Sequence, residues 1–217
     1  MAVILCIANP SDEPTSVGVY WMHKFADYAA AKGHQVIYQK TPTLQMLRLA
    51  LQQYNPALIV ANGHGGYKSL RVGDNILIGT AGYDKAIKYK IKQGDENYFT
   101  GRIVLLLTCN AGEELVSKLV NSGVIASMGF KKPFIFLSDE KITPENDASA
   151  VPFFECLMQP AIQLADGAAF QQAINMTREA FKKYIQQTKG DRDKADKFLQ
   201  FDLDNLVALG DPDAKLN

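Results

Sequence analysis

Apolar runs of strand length, alternating with stretches of helix-period apolar spacing, leave this chain few architectures to adopt. Val3 to Ala8 is apolar at every position, as a strand buried on both faces must be. Gln35 to Gln39, Ala57 to Ala61, Ile103 to Leu107 and Val124 to Met128 read as further strands, with Phe134 to Leu137 as another candidate. Val17 to Lys32 carries Val17, Trp21, Phe25 and Tyr28 along one helical face, and Gly33 is placed to end it. Thr43 is a natural N-cap for a second helix striped by Leu44, Leu47, Leu51 and Tyr54, which Pro56 stops.

The remainder follows the same logic. Leu70 to Val72 and Ile76 to Ile78, split by Gly73-Asp74-Asn75, predict a hairpin. A lysine-bearing helix is expected over Tyr83 to Ile91, a polar loop over Gln93 to Thr100, and a helix over Glu113 to Ser122. Ser149 to about Gln187 is helical in pattern, with breaks expected near Pro160 and Gly167 and a last stripe of Phe170, Ile174, Phe181 and Ile185. Leu206 to Leu209, before Gly210-Asp211-Pro212, closes the chain as an edge strand and turn. Strands alternating with helices imply an α/β fold with a mostly parallel sheet covered on both faces. No internal repeat or linker divides it, so residues 1–217 are read as one domain.

Charge and cysteine content narrow the chemistry. Lys plus Arg and Asp plus Glu are 23 each, so no general basic surface exists for a phosphate backbone, and nucleic acid is not an expected partner. Lys85, Lys88, Lys90 and Lys92 form a local patch that reads as a solvated helix face. No stretch approaches the ~20 apolar residues of a membrane span. The N-terminal apolar run has no basic segment before it and is too short for a signal sequence. Three cysteines without framework spacing argue against a disulfide-stapled secreted domain. A soluble, cytoplasmic protein is therefore expected.

In open parallel sheets, ligands collect beyond the carboxyl ends of the strands. Two strands here end in short glycine-containing turns with reactive side chains: Ala57 to Ala61 runs into Gly63-His64-Gly65, and Ile103 to Leu107 into Cys109-Asn110-Ala111-Gly112. If these strands are neighbours, His64 and Cys109 emerge at one edge. A thiol with an ordinary pKa of ~8.5 is only slightly ionised at neutral pH, and an imidazole with a pKa of ~6.5 is suited to take its proton. Gly65 and Cys109 could offer backbone N–H groups to an oxyanion, with Cys109 expected at the start of a helix. Taken singly, such a cysteine or histidine is more often structural, and it is their joint placement that points to chemistry. Cys6, inside the first strand, and Cys156, in an apolar helix, read as inert core; His23 and His34 read as structural.

The segments LIVANGHGG and IVLLLTCNAG, with His64 and Cys109 about 45 residues apart, resemble the His-Gly and Cys signatures of the caspase-like (clan CD) cysteine peptidases. The interval is close to the ~50 residues separating the pair in caspases. NSGVIASMGF and the ending LVALGDPDAKL resemble the gingipain-type and CHAT branches. Thr108 stands where many members carry Ala or Ser, and Gly112 follows Cys109 by one residue more than in the caspase pattern, which points away from caspases proper.

The resemblance implies a caspase-like three-layer α/β/α sandwich. It implies Cys109 as nucleophile, His64 as general acid/base, an oxyanion hole from the Gly65 and Cys109 amides, and no metal or cofactor. It places the substrate pocket at Ser127, Met128, Gly129, Phe130, Lys131 and Lys132, with Asp139 as a further candidate. Asp139 would favour a basic residue before the cut and the lysines an acidic one, so the preference stays open. The partner implied is a peptide or protein substrate, with room for processing in the loops at Gln93 to Thr100 and Ser138 to Asp147 or for an activating partner protein. Oligomeric state and a third residue orienting His64 are unassigned.

Two other readings stand beside this one. A catalytically silent interaction module predicts ordinary reactivity at Cys109. A flavodoxin-like small-molecule binder lacks the GxGxxG or GxxxxGK[ST] run expected after the first strand. Neither a zinc-ligand cluster nor a GxSxG elbow is present.

Overall fold

The structure, a computed structural model, describes residues 1–10, 13–73, 75–85, 89–91, 96–139 and 141–216. In chain order its elements begin with β1 (Val3–Ala8), α1 (Glu13–Ala31), β2 (Gln35–Lys40), α2 (Leu44–Tyr54), β3 (Leu58–Asn62), β4 (His64–Gly65), β5 (Ser69–Val72), β6 (Asn75–Gly79), β7 (Gly82–Asp84) and β8 (Tyr89–Ile91). A 3₁₀ turn at Glu96–Phe99 precedes β9 (Ile103–Leu107), α3 (Leu115–Asn121), β10 (Ala126–Phe130), α4 (Val151–Ala165), α5 (Phe170–Gln187), α6 (Ala195–Asn205) and β11 (Leu206–Gly210).

Six strands form the main sheet in the order β11-β10-β9-β3-β1-β2. All pairings are parallel except that of β10 with β11. The period of two along each strand divides the core cleanly. Ile4, Cys6, Leu58, Val60, Ile103, Leu105 and Leu107 face α1, α4, α5 and α6, where Phe25, Phe153 and Phe181 are fully enclosed. Leu5, Ile7, Ile59, Ala61, Val104 and Leu106 face α2, α3 and the β5–β6 hairpin. Each such buried Leu, Ile or Phe contributes about 1.5–3 kcal/mol. This is the three-layer α/β/α sandwich with a mostly parallel sheet that the strand and helix alternation requires.

Local signals explain several boundaries. Thr43 Oγ1 accepts from the Met46 N–H at 3.2 Å and starts α2, and Asn55 in a left-handed conformation ends it before Pro56. Pro160 does not interrupt α4: the helix runs through it to Ala165, because Cys156, Leu157, Ala161 and Leu164 are buried on either side and that packing outweighs one lost helical hydrogen bond. Glu113 and Glu114 stay in a turn, so α3 begins only at Leu115. Phe134 to Leu137 forms no regular element and joins no sheet, and α6 occupies a stretch whose apolar pattern gives no clear stripe.

The helix expected over Tyr83 to Ile91 is replaced by an antiparallel pair, with Gly82 opposite Ile91 and Asp84 opposite Tyr89. Long-range hydrogen bonds to Asp84 override the local helical pattern there. Ser11 and Asp12 of the first turn, Asp74 of the hairpin, Lys88 and Lys92 of the lysine patch, Gln93 to Asp95 of the polar loop and Glu140 of the later loop lie outside the described residues. Among the described residues, no helix is long and apolar enough to cross a membrane.

Candidate active site

β3 and β9 are direct neighbours, paired in parallel from Leu58 with Ile103 to Asn62 with Leu107. The turns that follow them therefore leave the same edge of the sheet side by side. They are also bonded to each other: Thr108 Oγ1 donates to the Gly63 carbonyl at 2.8 Å, and Thr108 is almost fully buried. His64 and Cys109 are both half-buried. Together with Thr15, Asn62, Gly63, Leu107, Thr108, Phe134, Phe136, Phe154 and Leu157 they line one cavity of about 100 Å³.

The approach of the two turns depends on glycine. A Cβ built on Gly65 would run into the Cys109 carbonyl oxygen and stand 2.5 Å from Thr108 Oγ1. On the other side, Asn110 takes φ +60°, and the Ala111 N–H donates to the Cys109 carbonyl at 2.7 Å, a three-residue γ-turn directly after the thiol. The Asn110 N–H reaches the Lys132 carbonyl at 3.3 Å, and the Gly112 N–H reaches the Phe130 carbonyl at 2.9 Å. Cys109 thus sits in a tight turn fastened to the end of β10 and not at a helix N-terminus, as the expected helix boundary had it. No helix dipole acts on its thiol.

Burial pushes the Cys109 thiol above its ordinary pKa, and the Asp202 carboxyl adds to the rise. The backbone N–H groups of Phe134 and of Cys109 itself pull the other way by hydrogen-bonding the sulfur. Asp202, on α6, has no exposed surface; burial raises it to about 8, against a lowering by the Ile135 N–H, which it accepts at 3.0 Å. The segment leaving β10 is thereby tied to α6 at Asp202 and lies across the thiol at Phe134.

Ser127, Met128, Gly129 and Phe130 lie within β10 and are buried, and Lys131 and Lys132 are exposed beyond it. The rings that line the cavity beside Cys109 belong to Phe134 and Phe136, further along the same segment. Asp139 is exposed and lines a separate cavity with Ser16, Val17, Lys141 and Asp147. Cys6 and Cys156 are buried free thiols, both raised in pKa chiefly by burial. His23 stacks on Tyr38 at 4.1 Å, and His34 accepts from the Ala2 N–H at Nδ1 and pairs with the Ala165 carbonyl through Nε2. Among the described residues, no group of three or more His, Cys, Asp or Glu is placed to hold a metal.

Sequence reasoning missed Thr108 as a bridge, Phe134 and Phe136 as walls, and Asp202 as the anchor behind them. Thr108 stood beside Cys109 in the motif, and Phe134 and Phe136 stood in a candidate strand, but Asp202 carried no sequence signal.

No protein-family profile matches the chain, and no curated protein sequence matches it. Among solved structures it is similar to a secreted C11 cysteine protease from Bacteroides thetaiotaomicron, determined in complex with an irreversible peptide inhibitor. The identity is 9%, the match covers 83% of this chain and 82% of that one, and the TM-score is 0.40.

Proposed function

We propose that this chain is a caspase-like cysteine peptidase in which Cys109 is the nucleophile and His64 the general acid/base. The observation that carries the reading is the parallel pairing of β3 with β9, which delivers both side chains to one cavity at the carboxyl edge of the sheet. In the proposed reaction His64 takes the thiol proton as the sulfur attacks a peptide carbonyl. The oxygen then carries the charge, held by the Gly65 and Cys109 amides. His64 returns the proton to the leaving amine, and water, deprotonated by the same imidazole, hydrolyses the thioester. No cofactor enters these steps. Within the caspase-like peptidases, the closing β11 strand with its Asp211-Pro212 turn favours the gingipain-type and CHAT branches. A cytoplasmic setting would keep the three thiols reduced.

A second observation favours a latent form. The thiol is raised by burial and covered at Phe134, so displacement of the segment from Lys131 to Leu137, by processing or by a partner, would precede full activity. The test is labelling with peptidyl acyloxymethyl ketones bearing Arg, Lys, Asp or Asn next to the warhead, read by intact mass. Stoichiometric labelling by one peptide class, absent in Cys109→Ala and reduced at least tenfold in rate in His64→Ala, is expected. If no peptide labels the wild type and Cys109 reacts with a simple alkylating agent no faster than an unfolded thiol, the chain is either a silent interaction module or an enzyme awaiting its activator.

A further inference from the structure

Asp84, in β7, is fully buried and lies outside the chemistry assigned above. A buried carboxylate needs donors, and three consecutive residues supply them to Asp84. The Tyr67 N–H donates to Oδ1 at 3.1 Å, the Lys68 N–H to Oδ2 at 2.8 Å, and the Ser69 hydroxyl to Oδ2 at 2.9 Å. These residues form the bend between β4 and β5, whose register sets His64 opposite Arg71 and Gly65 opposite Leu70. The bend closes with the Gly66 N–H on the Ser69 carbonyl at 2.8 Å. A Cβ on Gly66 would run into Asp84 Oδ2, so the glycine is what admits the carboxylate. Lys68, held at its backbone by Asp84, extends its Nζ to Glu114 at 3.1 Å, in the turn that follows Cys109.

We infer that Asp84 is the positioning residue for His64: its carboxylate fixes the bend that keeps the His64–Gly65 strand in register and so holds the imidazole beside Cys109. The assignment rests on the peptidase reading for its catalytic consequence. A carboxylate is required because three donors converge on two oxygens; an amide offers one acceptor oxygen and would turn its own NH₂ toward an N–H.

The experiment follows the imidazole resonances of the three histidines by NMR across pH, in wild type, Asp84→Asn and Ser69→Ala, with peptidase kinetics alongside. In Asp84→Asn the His64 titration is expected to shift while His23 and His34 stay in place, and kcat to fall about 10- to 100-fold with KM within about twofold. Ser69→Ala, which keeps the carboxylate and both backbone donors, should move His64 in the same direction by less. It decides the matter alone if Asp84→Asn does not fold. A His64 titration coincident with wild type in the folded variants, or a common shift of all three histidines, overturns the assignment. A selective His64 shift in a protein whose Cys109 no peptide ketone labels would leave Asp84 as the anchor of His64 and count against the peptidase reading alone.

Discussion

The turns at the carboxyl ends of β3 and β9 are neighbours built on opposite plans. The His64 turn is braced from behind: a two-residue strand, a closed bend and a buried carboxylate with three donors hold its backbone. The Cys109 turn is anchored at its two ends, by buried Thr108 and Ala111. It holds a left-handed Asn110, is tied forward to β10, and has its thiol covered by a segment that belongs to no sheet. A proton acceptor must be placed accurately before substrate arrives, which suits a braced turn. A half-buried thiol whose reactivity depends on what lies over it suits a turn controlled from the front. On the proposed reading, the pair is a fixed base beside a conditional nucleophile.

The strongest way to break this comparison is to push the two turns apart. Gly65→Ala drives a methyl group into the Cys109 carbonyl, which is backbone and cannot yield as a flexible side chain would. Such overpacking costs about 1–3 kcal/mol, and an ångström of separation between base and nucleophile costs about 100-fold in rate. Denaturant melts and Cys109 labelling rates would measure both. A fully reactive Gly65→Ala would mean that the two turns do not act together.

Asp202 tests the cover on the nucleophile side. Its carboxyl holds the Ile135 N–H, interacts electrostatically with Cys109 and Cys156, and is raised to about 8 by burial. An acid raised on folding keeps its proton in the folded chain after the unfolded chain, near pH 4, has lost its own. The contribution to stability is thus complete below about pH 4, is lost as pH rises to about 8, and is level above that. Asp202→Asn, which keeps the acceptor and removes the ionisation, should gain on the wild type by up to ~1.4 kcal/mol per pH unit across that window. Denaturation at a series of pH values checks it, and a gap that does not vary with pH would contradict it.

The same contrast explains which parts of the molecule were legible in the sequence. The strands carrying the site were readable because burial on both faces makes them apolar throughout, as in Ile103 to Leu107, and because their ends carry glycine beside a reactive side chain. What surrounds the site was not readable. Asp84 lies in a stretch whose local pattern favours helix, and its role comes from the bend at Tyr67 to Ser69, which no periodicity reports. Asp202 is an acidic residue on a helix of mixed composition, and burial against Ile135 is a tertiary fact. Phe134 to Leu137 reads as a candidate strand because it is apolar at every position, whereas it joins no sheet and its two Phe rings line a cavity. Sequence pattern records which surfaces are buried; it does not record which partner a buried polar group meets.

The smallest expected effect concerns the conformation of the Cys109 turn itself. Asn110 is a non-glycine residue at φ +60°, tolerated better by Asn than by most residues and better still by Gly. Asn110→Gly removes that local strain but enlarges the freedom of the unfolded chain, and the two effects oppose each other within about 1 kcal/mol. The net change in stability should stay below ~0.5 kcal/mol, while Asn110→Val, β-branched at a left-handed position, should lose about 1–2 kcal/mol. Comparing the alkylation rate of Cys109 in the two variants then separates conformation from cover. If burial beneath Phe134 sets the reactivity, Asn110→Gly leaves the rate within about twofold of wild type, because the sulfur stays under the same backbone N–H. A tenfold faster reaction would mean that the strained turn, and not the segment lying over it, holds the thiol in check.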